Sequence, residues 1–234
     1  MEEISKITLM FAFSLSLFIA LSLSVLQDSV VSQLDITVSD FMKDMKNPAF
    51  TDTMILLTRL GEWYGIVFIS ALSIIALLYG GRKREALIFS LSLISGFLLE
   101  NIVKVVIQRG RPPDSIIHAS GYSFPSGHTT MIALLFLLVC HLFRKRALYI
   151  ISIFIVLLVG ISRIYLNVHW LSDVIAGYAL AICVFSIFAI WRYLKANRVF
   201  SLTHTLCISC WGLVHHRWHS FEVLRAEISH GGIF

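Results

Sequence analysis

Charge is the first thing this chain is short of. Only 14% of its 234 residues are Asp, Glu, Lys or Arg, where a soluble domain of that length carries about a quarter. With 57% hydrophobic residues and a mean hydropathy of +0.82, the deficit excludes an ordinary soluble globule and reads as an integral membrane protein. Proline is scarce too. All four, at 48, 112, 113 and 125, fall outside the apolar runs, as unbroken helices require. The four cysteines, at 140, 183, 207 and 210, imply no disulfide framework, and the first two lie within apolar runs as small core residues. A basic stripe is also missing. The net charge of +5 is scattered over loops, which argues against a nucleic-acid partner.

Long apolar runs are what the chain has instead. A helix needs about 20 predominantly apolar residues to cross a bilayer core, and six stretches qualify: roughly 7–26, 64–80, 86–107, 127–143, 147–166 and 171–191. The first opens with Glu2 and Glu3 and ends in Gln27-Asp28 without a small-residue cleavage site, so it is expected to be a retained span, not a signal peptide. Basic clusters at Arg82-Lys83-Arg84, at Arg144-Lys145-Arg146 and at Arg192, Lys195 and Arg198 follow spans two, four and six. The positive-inside rule makes that side cytoplasmic, together with both termini. The expected fold is therefore all-α: a polytopic membrane protein with a six-transmembrane-helix bundle over 1–198. A cytoplasmic tail over 199–234 is expected to be poorly ordered. Its Cys207-x2-Cys210 pair and following histidines match no common zinc module.

Between spans one and two, Val31, Leu34, Val38, Phe41 and Met45 recur at helical spacing with Asp28, Asp35, Asp40 and Asp44 among them. This pattern suggests an amphipathic helix in the outer interface, a plain packed connector being the alternative. Asn47-Pro48 would end it, and Thr51 or Asp52 would cap a second short helix.

The scarce charge gathers in three stretches: Lys104 to Pro112 (KVVIQRGRP), Pro125 to His128 (PSGH) and Ser162 to Asp173 (SRIYLNVHWLSD). Six spans bring all three to the external face, at the ends of four helices. Charge beside hydrocarbon is costly, so the cluster is a functional-site hypothesis by default. Three permanent cations, Lys104, Arg111 and Arg163, suit a phosphoryl group, whose charge spreads over three oxygens. His169 and Asp173, four apart, would share a helix face. The carboxylate could then hold the proton of one imidazole nitrogen and leave the other as a nucleophile. Ser126 and Gly127 stand at the start of span four, where unpaired backbone N–H groups make an anion site: Ser126 would cap the helix or donate a hydrogen bond, and Gly127 would admit a phosphate closely. Glu100 pairs most simply with Lys104 as a structural partner, and snorkelling accounts for Arg109. A magnesium or manganese site would want several carboxylates, and only Asp173 lies near the histidines, so no metal and no cofactor is expected.

The pattern K-x6-RP, PSGH, SR-x5-H-x3-D resembles that of the type 2 phosphatidic acid phosphatase family of membrane lipid phosphatases. Lys104, Arg111, Pro112, residues 125–128, Ser162, Arg163, His169 and Asp173 fit without a substitution. The resemblance implies that His169 attacks phosphorus to form a phosphohistidine, that His128 protonates the leaving oxygen, and that the rate has a bell-shaped pH profile. The expected function is hydrolysis of a lipid phosphate or diphosphate at the outer leaflet, with the bilayer lipid as partner. Undecaprenyl diphosphate is the first substrate; phosphatidylglycerophosphate and phosphatidate are the alternatives. Rivals are a lipid-to-lipid phosphotransferase, a non-enzymatic lipid transporter and a vanadium-dependent haloperoxidase-like site, the last disfavoured by the apolar spans.

Overall fold

A computed structural model describes residues 2–27 and 30–195. The tail reading therefore lies outside the described residues. Those that are described form helices and connectors with no strand among them: α1 (Glu2–Leu26), α2 (Val30–Asp44), α3 (Pro48–Thr58), a single 3-10 turn (Arg59–Gly61), α4 (Trp63–Tyr79), α5 (Lys83–Ile107), α6 (Gly127–Phe143), α7 (Arg146–Tyr165) and α8 (Leu171–Lys195). Each of the six apolar runs becomes a helix. Four of them, α1, α5, α7 and α8, are long and apolar enough to cross a membrane singly. α3 with its 3-10 turn and α4 qualifies as a pair bent by 49°, and α6, at 17 residues, is shorter.

Burial orders the helices. α6 is the central one: Ile132, Leu134 and Leu135 have no exposure and meet Phe89 of α5, Leu77 of α4, Val159 of α7 and Ala181 of α8 in one core. α1 is peripheral, with only Ser14 buried, its hydroxyl 3.1 Å from the Cys183 thiol of α8, and with Leu9, Phe13, Ile19 and Leu23 turned outward. The turns at Gly80–Arg82 and at Arg144 lie at one end, where an Arg82 Nη2–H donates to the Leu142 carbonyl at 3.0 Å, a free acceptor at the end of α6.

A second apolar cluster closes the other end. Met54 of α3 packs against Tyr165, Leu166 and Val168, joined by Ile116, Ile117 and Ala119 of the long α5–α6 loop. Polar contacts fasten it: Ser39 of α2 donates to Asn167 Oδ1 at 2.7 Å, the Asn167 amide donates to the Pro113 carbonyl, and the Tyr165 hydroxyl takes the Asn47 N–H at 3.1 Å.

One expectation about 28–60 needs correcting. The second short helix is capped by Asn47, whose side chain accepts from the Ala49 N–H at 3.0 Å with Pro48 at the first helical position. Thr51 and Asp52 lie inside that helix. Leu34, Phe41 and Met45 of α2 are exposed, while Asp35, one of the acids set among them, is buried with Ser39 against the rest of the protein. An acid is buried here because it has a cation to meet.

Candidate active site

α5 ends near Lys104, α6 starts at Gly127, α7 ends just beyond Arg163, and His169 sits in the turn before α8. These ends surround a cavity of about 780 Å³ whose lining includes Glu62, Lys104, Arg111, His128, Arg163 and His169. It continues between α4 and α5 past Ile66, Leu93, Ile94 and Phe97. The three charged stretches thus share one cavity.

His169 is 3% exposed. Its Nε2 lies 3.2 Å from Arg111 Nη1 and its Nδ1 3.4 Å from Asp173 Oδ2. A guanidinium has only donors, so Nε2 must accept and carries the lone pair, which leaves the proton on Nδ1 facing the carboxylate. Contrary to what the spacing predicts, the pair does not share a helix face. His169 precedes α8, and Asp173 reaches back from the first turn to accept the Trp170 N–H at 3.0 Å, half of a capping box. Burial pulls His169 down to about 4; the hydrogen bond and charge of Asp173 oppose this, and Arg163 and Arg111 add to it. The ring is neutral at ordinary pH.

The cations differ in how committed they are. Arg111 is fully engaged: Nε donates to the Gly121 carbonyl, Nη1 to the Val168 carbonyl and to His169, and Nη2 to the carbonyls of Ser120 and Tyr122. It folds the 119–122 loop over the site. Arg163, 3% exposed, gives one bond to the Thr58 hydroxyl at 2.8 Å, and its buried Nε meets no partner. Lys104 is tied to Glu100 Oε1 at 2.8 Å, as the spacing predicts. His128 Nε2 is buried without a hydrogen-bond partner, 3.7 Å from Glu62 Oε1.

At the start of α6 the capping role expected of Ser126 is revised. The Ser126 hydroxyl is buried and caps nothing; instead its carbonyl accepts from the Thr129 and Thr130 hydroxyls at 2.9 Å each. At Gly127, which lines the cavity, a Cβ would stand 2.5 Å from Glu100 Oε2, so any side chain there would collide with that carboxylate. Buried donors without partners at Ser126, His128 and Arg163 are costly unless something anionic completes them.

Three residues escaped the motif reading. Arg109 does not snorkel: at 12% side-chain exposure, it bonds Asp173 Oδ1 and Asp35 Oδ2 at 2.6 Å each, under the ring of Trp170. Asp35 carried a legible signal, since it stands four residues after Val31 and three before Val38, inside the apolar stripe. Glu62, at the junction before α4, had none.

This arrangement can be set beside known proteins. Residues 85–198 match the family model described as the PAP2 superfamily. The chain is 30% identical over 182 residues to phosphatidylglycerophosphatase B of Bacillus subtilis, covering 74% of this chain and 90% of that one. The chain belongs to the PAP2 superfamily. Another PAP2 relative, an undecaprenyl-diphosphatase of Sulfolobus acidocaldarius, is 28% identical over 137 residues, covering 54% of this chain and 63% of that one. The crystal structure of a PAP2-type phosphatidylglycerolphosphate phosphatase from Bacillus subtilis superposes with a TM-score of 0.68 at 28% identity, covering 82% of this chain and 96% of that one. These PAP2 relatives are lipid phosphatases, and their family is the one whose motif pattern this chain resembles.

Proposed function

We propose that the protein is a multi-pass membrane phosphatase that hydrolyses a lipid phosphate or diphosphate through a phosphohistidine. The observation that carries this reading is the placement of His169 on the cavity, with its Nε2 3.2 Å from Arg111 Nη1 and its Nδ1 3.4 Å from Asp173 Oδ2.

The substrate phosphate enters among Lys104, Arg163 and Arg111 and takes the unpartnered donors of Arg163 and Ser126. His169 Nε2 forms a bond to phosphorus as the P–O bond to the lipid breaks, and His128 gives its proton to the leaving oxygen. A water, deprotonated by His128, then attacks the phosphohistidine. Inorganic phosphate leaves, and both histidines return to their starting states. The apolar extension of the cavity between α4 and α5 suits a lipid chain. The six apolar helices span the bilayer with both termini cytoplasmic, α2 lies in the outer interface, and the cavity opens to the external face.

Phosphatidylglycerophosphate is the first substrate to test, because similarity to the B. subtilis phosphatidylglycerophosphatase runs over 90% of that protein. Undecaprenyl diphosphate is the second, on the similarity to the Sulfolobus enzyme and the outward cavity. The test is phosphate release in detergent with EDTA from a panel of both lipids and phosphatidate. Turnover by the wild type that His169→Ala abolishes is expected. Release unaffected by His169→Ala, or dependent on added metal, would contradict the reading. Consumption of lipid phosphate without free phosphate would turn it towards a phosphotransferase.

A further inference from the structure

Asp35 is the most unusual residue outside the motifs. It is 2% exposed, on a helix whose Leu34, Phe41 and Met45 are exposed, and both of its oxygens are used. Oδ1 accepts the Ser172 N–H at 2.9 Å, and Oδ2 accepts the Ser172 hydroxyl at 2.5 Å and Arg109 Nη2–H at 2.6 Å. The other arm of the same guanidinium, Nη1, donates to Asp173 Oδ1 at 2.6 Å and to the Ser172 hydroxyl at 2.7 Å. One arginine therefore lies between two buried carboxylates, and only the second touches His169.

We propose that Asp35 and Arg109 are positioning residues for the nucleophile, acting through Asp173. The inference rests on the phosphatase reading above. Two consequences follow from the geometry. The first is orientation. With Oδ1 held by Arg109 and Oδ2 by the Trp170 N–H, the Asp173 carboxylate cannot rotate, and Oδ2 stays towards His169 Nδ1. The second is charge. Arg109 alone would neutralise Asp173 at short range, and its charge would oppose the positive charge that the imidazole acquires when Nε2 bonds phosphorus. Asp35 restores a net single negative charge to the cluster. That charge offsets the field of Arg111 and Arg163 on the reacting ring, while neither Asp35 nor Arg109 lines the phosphate cavity. The Trp170 ring lies 5.4 Å from the Arg109 guanidinium, and its N–H donates to the Gly110 carbonyl at 2.9 Å. Helix α2 thus reaches Asp173 through the Asp35 side chain and Arg109.

A role that is only structural would weaken folding and phosphate binding together. A positioning role separates turnover from binding. The experiment measures kcat on a lipid phosphate and the inhibition constant of inorganic phosphate for purified wild type, Asp35→Asn and Asp40→Asn. Asp40 lies on the same helix, paired with Lys43 and 62% exposed, and controls for the lost charge. Asp35→Asn is expected to lower kcat roughly tenfold, by loosening the Arg109 hold on the Asp173 carboxylate that orients His169. The phosphate constant should stay within about twofold, and Asp40→Asn should match the wild type. If Asp35→Asn does not elute as a folded monodisperse protein, Arg109→Lys replaces it. It keeps the charge but cannot bridge both carboxylates, so the same fall in kcat is expected. An unchanged kcat, or a fall matched by an equal weakening of phosphate binding, overturns the inference. A wild type that turns over no lipid phosphate overturns the phosphatase reading and this inference with it.

Discussion

At the scale of single residues, the account turns on the protonation of His169. Burial and two arginines hold its neutral form down to about pH 4, against the pull of Asp173. The neutral ring is the nucleophile, so activity should persist as pH falls through the ordinary imidazole range and be lost only on approach to about 4. The acid limb of kcat/KM, which reports the free enzyme, measures this directly; a limb centred near 6.5 would contradict it. Arg163 is the second decisive residue, because its Nε is buried without a partner beside the cavity. Arg163→Ala should lower kcat/KM by about two orders of magnitude, a loss typical of removing one transition-state donor, measurable on any lipid phosphate the wild type accepts. Residue identity at the site was largely legible, since cations, histidines and one acid in an apolar chain are conspicuous. Bond partners were not. Nothing in RGRP tells Arg111, which folds a loop over His169, from Arg109, which reaches Asp173 and an acid 74 residues earlier.

At the scale of elements, the helices follow from the apolar runs nearly residue for residue, and the connectors do not. α2 shows why. Its amphipathic period was plain, but which side faces the protein depended on whether Asp35 would find a buried cation, a pairing no local pattern encodes. The first turns of α6 and α8 show the same limit. α6 and α8 approach closely at Gly177, in the second turn of α8, where a Cβ would stand 2.2 Å from Thr129 Oγ1 and 2.9 Å from the Ser126 carbonyl. Gly177→Ala should therefore cost about 1–3 kcal/mol through overpacking, seen as a lower Tm in detergent, and should lower kcat as well because the two turns are pushed apart. A Tm equal to that of the wild type would mean that the helices approach less closely.

At the scale of the whole molecule, membrane character and a site built from converging helix ends were both legible in hydropathy and loop charge. Orientation is open to direct test in a background with Cys207 and Cys210 replaced by Ser, the described cysteines Cys140 and Cys183 being buried. Lys46→Cys, between α2 and α3, should react with an impermeant maleimide on intact cells, whereas Lys83→Cys, at the start of α5, should react only after permeabilisation. The opposite pattern would place the cavity on the cytoplasmic face. Across the molecule, the central claim is that four helix ends hold one histidine ready to take a phosphoryl group. The most direct measurement incubates purified protein with lipid carrying labelled phosphate, quenches the reaction and follows label on the chain. Acid-labile, alkali-stable label located at His169, absent in His169→Ala and lost as phosphate is released, is the expected result; turnover with no label on His169 would contradict the account.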